Sequence, residues 1–335
     1  MPAPSPTDLI HPDLTIAYLR RRMTGRGVRV AVIDSGVDGT HPALAGCLTR
    51  VVVPQRDAAG GLTYVDIDPA ASVDRFGHGT GVAGIIADIA PAVAITSVSV
   101  LDDAGSGSGE LMLAALGWAL EQDVQVINLS LSLNADRYFA EAARLCERAY
   151  EREITLVVAR RNLAMKIGAP AMFSSVISVD KDEFRSKWQL AFNPRNIVEF
   201  AGRGYNVQAP TPGGQFSLMT GTSFATPQVT GIVALLKEWA PHLVPVELKS
   251  ALKALASRDP DGVPAHRQGR ELLRSLRPAE LQAMVDGLDD ASLARLRSAL
   301  DRADPQAWRQ QQADLLAELA DLRAQLAALE LPKTD

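Results

Sequence analysis

Between residues 28 and about 240, short apolar runs of strand length alternate with segments whose apolar positions recur at helical spacing. The apolar runs are V-R-V-A-V-I (28–33), V-A-I-T-S-V-S-V (93–100), V-Q-V-I-N-L (124–129), I-T-L-V-V-A (154–159) and S-V-I-S-V (175–179), which closes the series. Helical spacing is found in H-G-T-G-V-A-G-I-I-A-D (78–88), L-M-L-A-A-L-G-W-A-L (111–120) and A-E-A-A-R-L-C-E-R (140–148). Strands rich in β-branched residues and lacking polar alternation are buried on both faces, and their alternation with helices gives a parallel sheet. The pattern therefore predicts an α/β fold: a doubly wound, mainly parallel sheet flanked by helices. Ligands bind such sheets beyond the carboxyl ends of the strands, so the residues that follow each run are the candidates for chemistry.

The pattern changes after about residue 258. R-D-P-D-G-V-P-A-H-R-Q-G-R reads as a linker, and the remainder is rich in Ala, Leu, Arg, Asp and Gln without strand signals. Leu315, Leu319, Leu322, Leu326 and Leu329 recur at alternating spacings of four and three, a helical stripe. Three parts are expected: a tail (1–12), an α/β domain (13–258) and an α-helical C-terminal extension (259–335). The stripe fits a helix packed on its own protein, and it also fits a homo-oligomer or a partner-docking helix.

Composition narrows the function classes. The 335 residues are 47% hydrophobic and 22% charged, with a formal net charge of -5. Nucleic acid is not the expected partner, because a phosphate-binding face needs a basic excess. The segment 271–335 carries eight basic and twelve acidic residues, so it is not a basic arm either. No window approaches the roughly 18 consecutive apolar residues of a membrane span. The start, M-P-A-P-S-P-T-D-L-I-H-P-D, lacks a secretory pattern. Cys47 and Cys146 are the two cysteines, and in a chain without a leader they read as reduced thiols. The expected location is the cytoplasm.

Three segments sit where strands end or helices begin: A-V-I-D-S-G-V-D-G-T-H-P (31–42), D-R-F-G-H-G-T-G-V-A-G (74–84) and G-T-S-F-A-T-P-Q-V-T-G (221–231). Each supplies one member of an Asp-His-Ser set: Asp34, His78 and Ser223. A serine hydroxyl is a weak nucleophile, so an imidazole must take its proton during attack. A carboxylate on the other ring nitrogen fixes the tautomer and stabilises the imidazolium. Singly, each segment also reads as a structural turn or a capped helix start. In chain order they resemble the D-[ST]-G, H-G-T-x-V-A-G and G-T-S-[MF]-A-[ST]-P signatures of the subtilisin-like serine peptidases, the subtilases. The resemblance covers roughly residues 13 to 240. G-x-S-x-G is absent around Ser223, which argues against a lipase or esterase.

The resemblance implies a subtilisin-like fold, hydrolysis of peptide bonds through an acyl-enzyme and no cofactor. It implies an oxyanion donor at the strand end usually written A-A-G-N; here that end is A-R-R-N (159–162), so the donor is Asn162, joined by the backbone N–H of Ser223. An extended peptide or protein substrate would lie between two strands, one at Gly105, Ser106 and Gly107 and one at Ser130, Leu131 and Ser132.

This sequence departs from the family pattern at four points. Ser132 and Arg161 stand where two glycines line the S1 pocket, which receives the P1 residue just before the scissile bond. Two readings of Arg161 follow: it pairs with an acidic P1 side chain, or it points to solvent and the pocket is merely small. Ala43 replaces the aspartate expected after H-P, and the loop expected in the helix after the His motif is missing. A calcium site of secreted relatives is therefore expected to be absent, with Asp66 and Asp68 as surface acids. Gln228 replaces a histidine after the serine motif. About a dozen residues precede the domain, too few for a folding pro-domain. Together these predict a cytoplasmic, calcium-independent processing endopeptidase; the alternative is a catalytically silent subtilase fold that binds peptides or acts as a scaffold through its helical tail.

Overall fold

The computed structural model describes residues 14–56, 61–133, 135–161, 167–193 and 196–257. The N-terminal tail, Asn162 and the C-terminal extension with its leucine stripe lie outside the described residues. The chain divides into two units, Met1–Pro264 and Ala265–Asp335, against an expected boundary at 258.

In the first unit a short helix α1 (Ile16–Arg22) precedes β1 (Arg29–Asp34), β2 (Leu48–Arg56) and β3 (Leu62–Ile67). Then follow α2 (His78–Ile89), β4 (Ala94–Ser99), α3 (Gly109–Leu120), β5 (Val126–Leu129), α4 (Phe139–Glu151), β6 (Thr155–Ala159) and β7 (Ile177–Asp182). The end of the unit holds β8 (Ala191–Phe192), β9 (Phe200–Arg203), β10 (Val207–Thr211), β11 (Gln215–Met219), α5 (Thr222–Trp239) and α6 (Pro245–Ser257). Nine strands form one sheet in the order β3-β2-β4-β1-β5-β6-β7-β9-β8, and β10 and β11 form a separate ribbon. The strands from β2 through β4, β1, β5, β6 and β7 to β9 run parallel, while β3 and β8 pair antiparallel at the two edges.

Successive residues along a strand point to opposite faces, and the core follows that rule. Val30 and Val32 of β1 join one buried cluster with α1, α2, α5 and α6, whereas Ala31 and Ile33 join another with α3 and α4. Because both faces are covered, alternation between apolar and polar residues is absent from the central strands. Cys47 and Cys146 belong to these opposite clusters, so the sheet separates them and both are free thiols. Burial pushes the Cys146 thiol up to about 12.

The series of strands does not close at residue 179 as expected. β9 adds a further parallel strand beside β7, and the β10–β11 ribbon lies beyond it in sequence. The chain crosses from β4, on one side of β1, to β5 on the other. The crevice of the sheet therefore opens at the carboxyl end of β1. Asp34 is the last residue of that strand.

Candidate active site

Asp34 is fully buried, and its Oδ1 lies 2.7 Å from Nδ1 of His78. The same oxygen accepts the backbone N–H of Ser35 at 2.8 Å. His78 opens α2, after Gly77 in a left-handed conformation at φ 85°. At the next position only glycine fits: a Cβ on residue 79 would lie 2.1 Å from the carbonyl oxygen of Gly36. The close approach of the D-S-G turn to the helix start sets the reach between the two side chains. Burial alone would lower the His78 pKa, but the charge and hydrogen bond of Asp34, with Asp74 behind it, raise it above the ordinary imidazole value.

Sequence reasoning missed Asp74. It is 1% exposed and accepts four hydrogen bonds. Its Oδ1 takes the Ser35 hydroxyl (2.9 Å) and the Gly77 N–H (2.8 Å), and its Oδ2 takes the Thr80 N–H (2.9 Å) and hydroxyl (2.7 Å). The Ser35 oxygen in turn accepts the N–H of Gly79 at 2.9 Å. One carboxylate thus caps the N-terminus of α2 and clamps the turn that carries Asp34. An acid within four residues of a helix start was the available signal. The Phe76 ring, likewise missed, stacks on His78 with centroids 6.1 Å apart and abuts Gly105.

Ser223 lies in the first turn of α5, where backbone N–H groups have no partner within the helix. Its neighbour Phe224 packs on the His78 ring at 5.2 Å, so the start of α5 lies against the start of α2. The Ser223 hydroxyl donates to the carbonyl of Ser130 at 3.1 Å, and the Ser130 hydroxyl donates to the Ser223 carbonyl at 3.0 Å. Asn128 Nδ2 donates to the Ser130 oxygen (3.0 Å), and Thr230 donates to Asn128 Oδ1 (2.7 Å). The helix and the end of β5 are locked together by side chains buried between them. Gln228, in place of the family histidine, donates to the carbonyls of Arg203 and Phe224, a tie between α5 and β9.

Gly105, Ser106 and Gly107 follow β4 in a turn held by Asp102, whose Oδ1 accepts the N–H groups of Ala104 and Ser106 at 2.9 Å each. Leu131 and Ser132 continue beyond β5. Arg160 and Arg161 continue beyond β6, and Thr222 donates to the Arg160 carbonyl at 2.6 Å. Residues 167–169 bridge these two extensions, with Arg161 N–H on the Ile167 carbonyl (2.9 Å) and Leu133 N–H on the Ala169 carbonyl (2.8 Å). The expected site residues thus follow the carboxyl ends of the central strands β4, β5 and β6. Asn162 is outside the described residues.

The residues at the position of the family calcium site do not fit that ion. Ala43 presents a methyl group, and its N–H is taken by Nδ1 of His41 at 3.1 Å. α2 runs without interruption to Ile89, so no inserted loop supplies carbonyl ligands. Asp66 pairs with Arg50, and Asp68 accepts the N–H of Ala70 at 2.9 Å.

A buried carboxylate on one imidazole nitrogen and a serine at the start of a helix that packs on the ring are the parts of a serine hydrolase. The profile described as "Subtilase family" matches residues 25–270, and the chain belongs to that family, the subtilisin-like serine endopeptidases with an Asp-His-Ser triad. It is 32% identical over 234 residues to the intracellular serine protease of Paenibacillus polymyxa, covering 64% of this chain and 68% of that protein. M-protease of Shouchella clausii is 33% identical over 250 residues, 71% of this chain and 61% of the relative. Subtilisin Savinase of Lederbergia lenta is 33% identical over 250 residues, 71% of this chain and 86% of the relative. Among solved structures, a cold-adapted subtilisin-like serine proteinase superposes with a TM-score of 0.59 at 26% identity, covering 73% of this chain and 87% of its own. No helix among the described residues is long and apolar enough to cross a membrane.

Proposed function

We propose that Asp34, His78 and Ser223 form the catalytic set of a selective processing endopeptidase that works in the cytoplasm on peptide or protein substrates. The observation that supports this is the 2.7 Å contact of Asp34 with His78 Nδ1, which leaves Nε2 free to take a proton. In the reaction the Ser223 hydroxyl turns from the Ser130 carbonyl to Nε2 of His78. The serine oxygen bonds to the scissile carbonyl carbon while His78 takes the proton. The oxyanion is held by the Ser223 N–H and the side chain of Asn162. His78 then gives its proton to the leaving amine as the C–N bond breaks, and water repeats the sequence on the acyl-enzyme.

The substrate backbone lies against Gly105, Ser106 and Gly107 on one side and Ser130, Leu131 and Ser132 on the other, with its P1 side chain in a restricted pocket. Selectivity follows from Ser132 and Arg161, which occupy space that glycine would leave. The cytoplasmic assignment draws support from the likeness to a relative named for its intracellular location. The C-terminal helical extension is proposed as the contact for a partner or for a second copy. Labelling with a fluorophosphonate tests the catalytic set: the folded chain should be modified on Ser223 and the Ser223→Ala variant should not. An unlabelled, folded native chain would sink the reading.

A further inference from the structure

Two adjacent arginines leave β6, and their surroundings differ. Arg160 is ion-paired with Asp180 at 2.9 Å. Arg161 has its backbone fixed to Ile167, and no hydrogen bond or ion pair engages its guanidinium among the described residues. Its side chain is nevertheless only partly exposed. A guanidinium carries five donors and stays charged, so a half-buried one without an acceptor is incomplete.

The place that Arg161 occupies gives this incompleteness a direction. Residues 167–169 join the extensions of β5 and β6. At Gly168, with φ +77°, a Cβ would lie 3.3 Å from the Cβ of Arg161 and 3.4 Å from that of Ser132. The three chain segments therefore come together at that glycine. This junction adjoins Ser130, whose carbonyl holds the Ser223 hydroxyl, and Arg160, whose carbonyl holds Thr222. A scissile carbonyl carbon at Ser223 brings the side chain on the preceding Cα close to this junction. Ser132, beside Arg161 there, likewise has a hydroxyl without a partner among the described residues.

We infer that Arg161 is the specificity-determining residue of this enzyme and that it receives the carboxylate of an Asp or Glu at P1. The inference rests on the protease reading above and names its substrate class. An acidic side chain supplies the acceptor that Arg161 lacks, in a charge-assisted and often bidentate contact. Lys or Arg at P1 is refused by like charge.

The test is a set of internally quenched peptides that differ only at P1, hydrolysed by the full chain and by two variants. The native chain should give kcat/KM for Glu or Asp above that for Ala by roughly ten- to hundredfold, the span of a hydrogen bond to a charged group. Arg161→Gln should collapse the ratio of Glu to Ala towards unity, and Arg161→Glu should invert it in favour of Lys. Fluorophosphonate labelling of each protein reports that the active site is folded. A labelled native chain that prefers Phe or Leu at P1 would overturn the inference and leave the protease reading intact. The inference fails equally if labelled Arg161→Gln keeps the native ratio, which would mean that the side chain points to solvent. Absence of labelling and of hydrolysis across all peptides would instead remove the protease reading itself.

Discussion

On the His78 side of the cleft, internal partners fix the groups that orient the imidazole. Asp74 accepts four hydrogen bonds, the Ser35 hydroxyl both gives and takes one, and Asp34 holds His78. On the side of the proposed pocket, the backbone N–H groups of Leu133, Arg160 and Arg161 are hydrogen-bonded, while the side chains of Ser132 and Arg161 keep open donors among the described residues. The two regions adjoin the same serine and are held in different ways. The chemistry needs a geometry set before substrate arrives, so its polar groups, Asp34 Oδ2 apart, are satisfied from within. Selection needs interactions that only the right ligand completes, so its polar groups wait.

The largest effect expected on the catalytic side comes from His78→Ala. It should lower kcat by about 10⁶-fold, a magnitude taken from subtilisin, a member of this family, and leave the preference among P1 residues in the residual activity unchanged. A loss below tenfold in peptide hydrolysis would break the comparison. Asp74→Asn sharpens it, because an amide cannot accept all four donors. We expect kcat to fall by about a hundredfold from misplacement of His78. The pH profile should move as well. His78 must be neutral to act as base, and Asp74 helps to raise its pKa, so the acid limb of kcat/KM should move to lower pH in the variant. An acid limb that stays in place would leave Asp74 with a purely structural role. The smallest effect is the control far from both regions. Glu238 accepts the N–H groups of Thr24 and Gly25 at 2.6 Å and that of Arg26 at 3.2 Å. Glu238→Ala should cost about 1–3 kcal/mol of stability, read as a lower Tm, with kcat within about twofold of the native value.

The central strands β1, β4, β5 and β6 were legible in the sequence because burial on both faces demands continuous apolar runs. The edges were not. β3 carries no fully buried residue, and β11 exposes Phe216 and Leu218, so neither shows a run that burial would enforce. β8 has two residues and exists through its pairing with β9. At the site, Asp34, His78 and Ser223 stood out because each follows a strand or opens a helix in a patterned segment. Asp74 lay inside the His segment without standing out, since its partners include Ser35, 39 residues away, which only the fold brings near. Arg161 was visible as an anomaly, a charge at the end of a core strand. Its contrast with Arg160 depends on Asp180, which the parallel pairing of β6 with β7 supplies.

The placing of Ser223 has one more consequence. Its helix is 18 residues long, about 27 Å, and nearly every residue from Thr222 to Lys237 is buried. At the far end Lys237 donates to the Leu243 carbonyl at 2.6 Å, and the next residue, Glu238, gathers the loop before β1. Such an element opens to solvent only when the whole domain does, and its amides belong to the slowest class in hydrogen exchange. Ser223 therefore rides on a buried, cooperative element of the described domain. Under denaturant, activity should disappear together with the global fold rather than ahead of it.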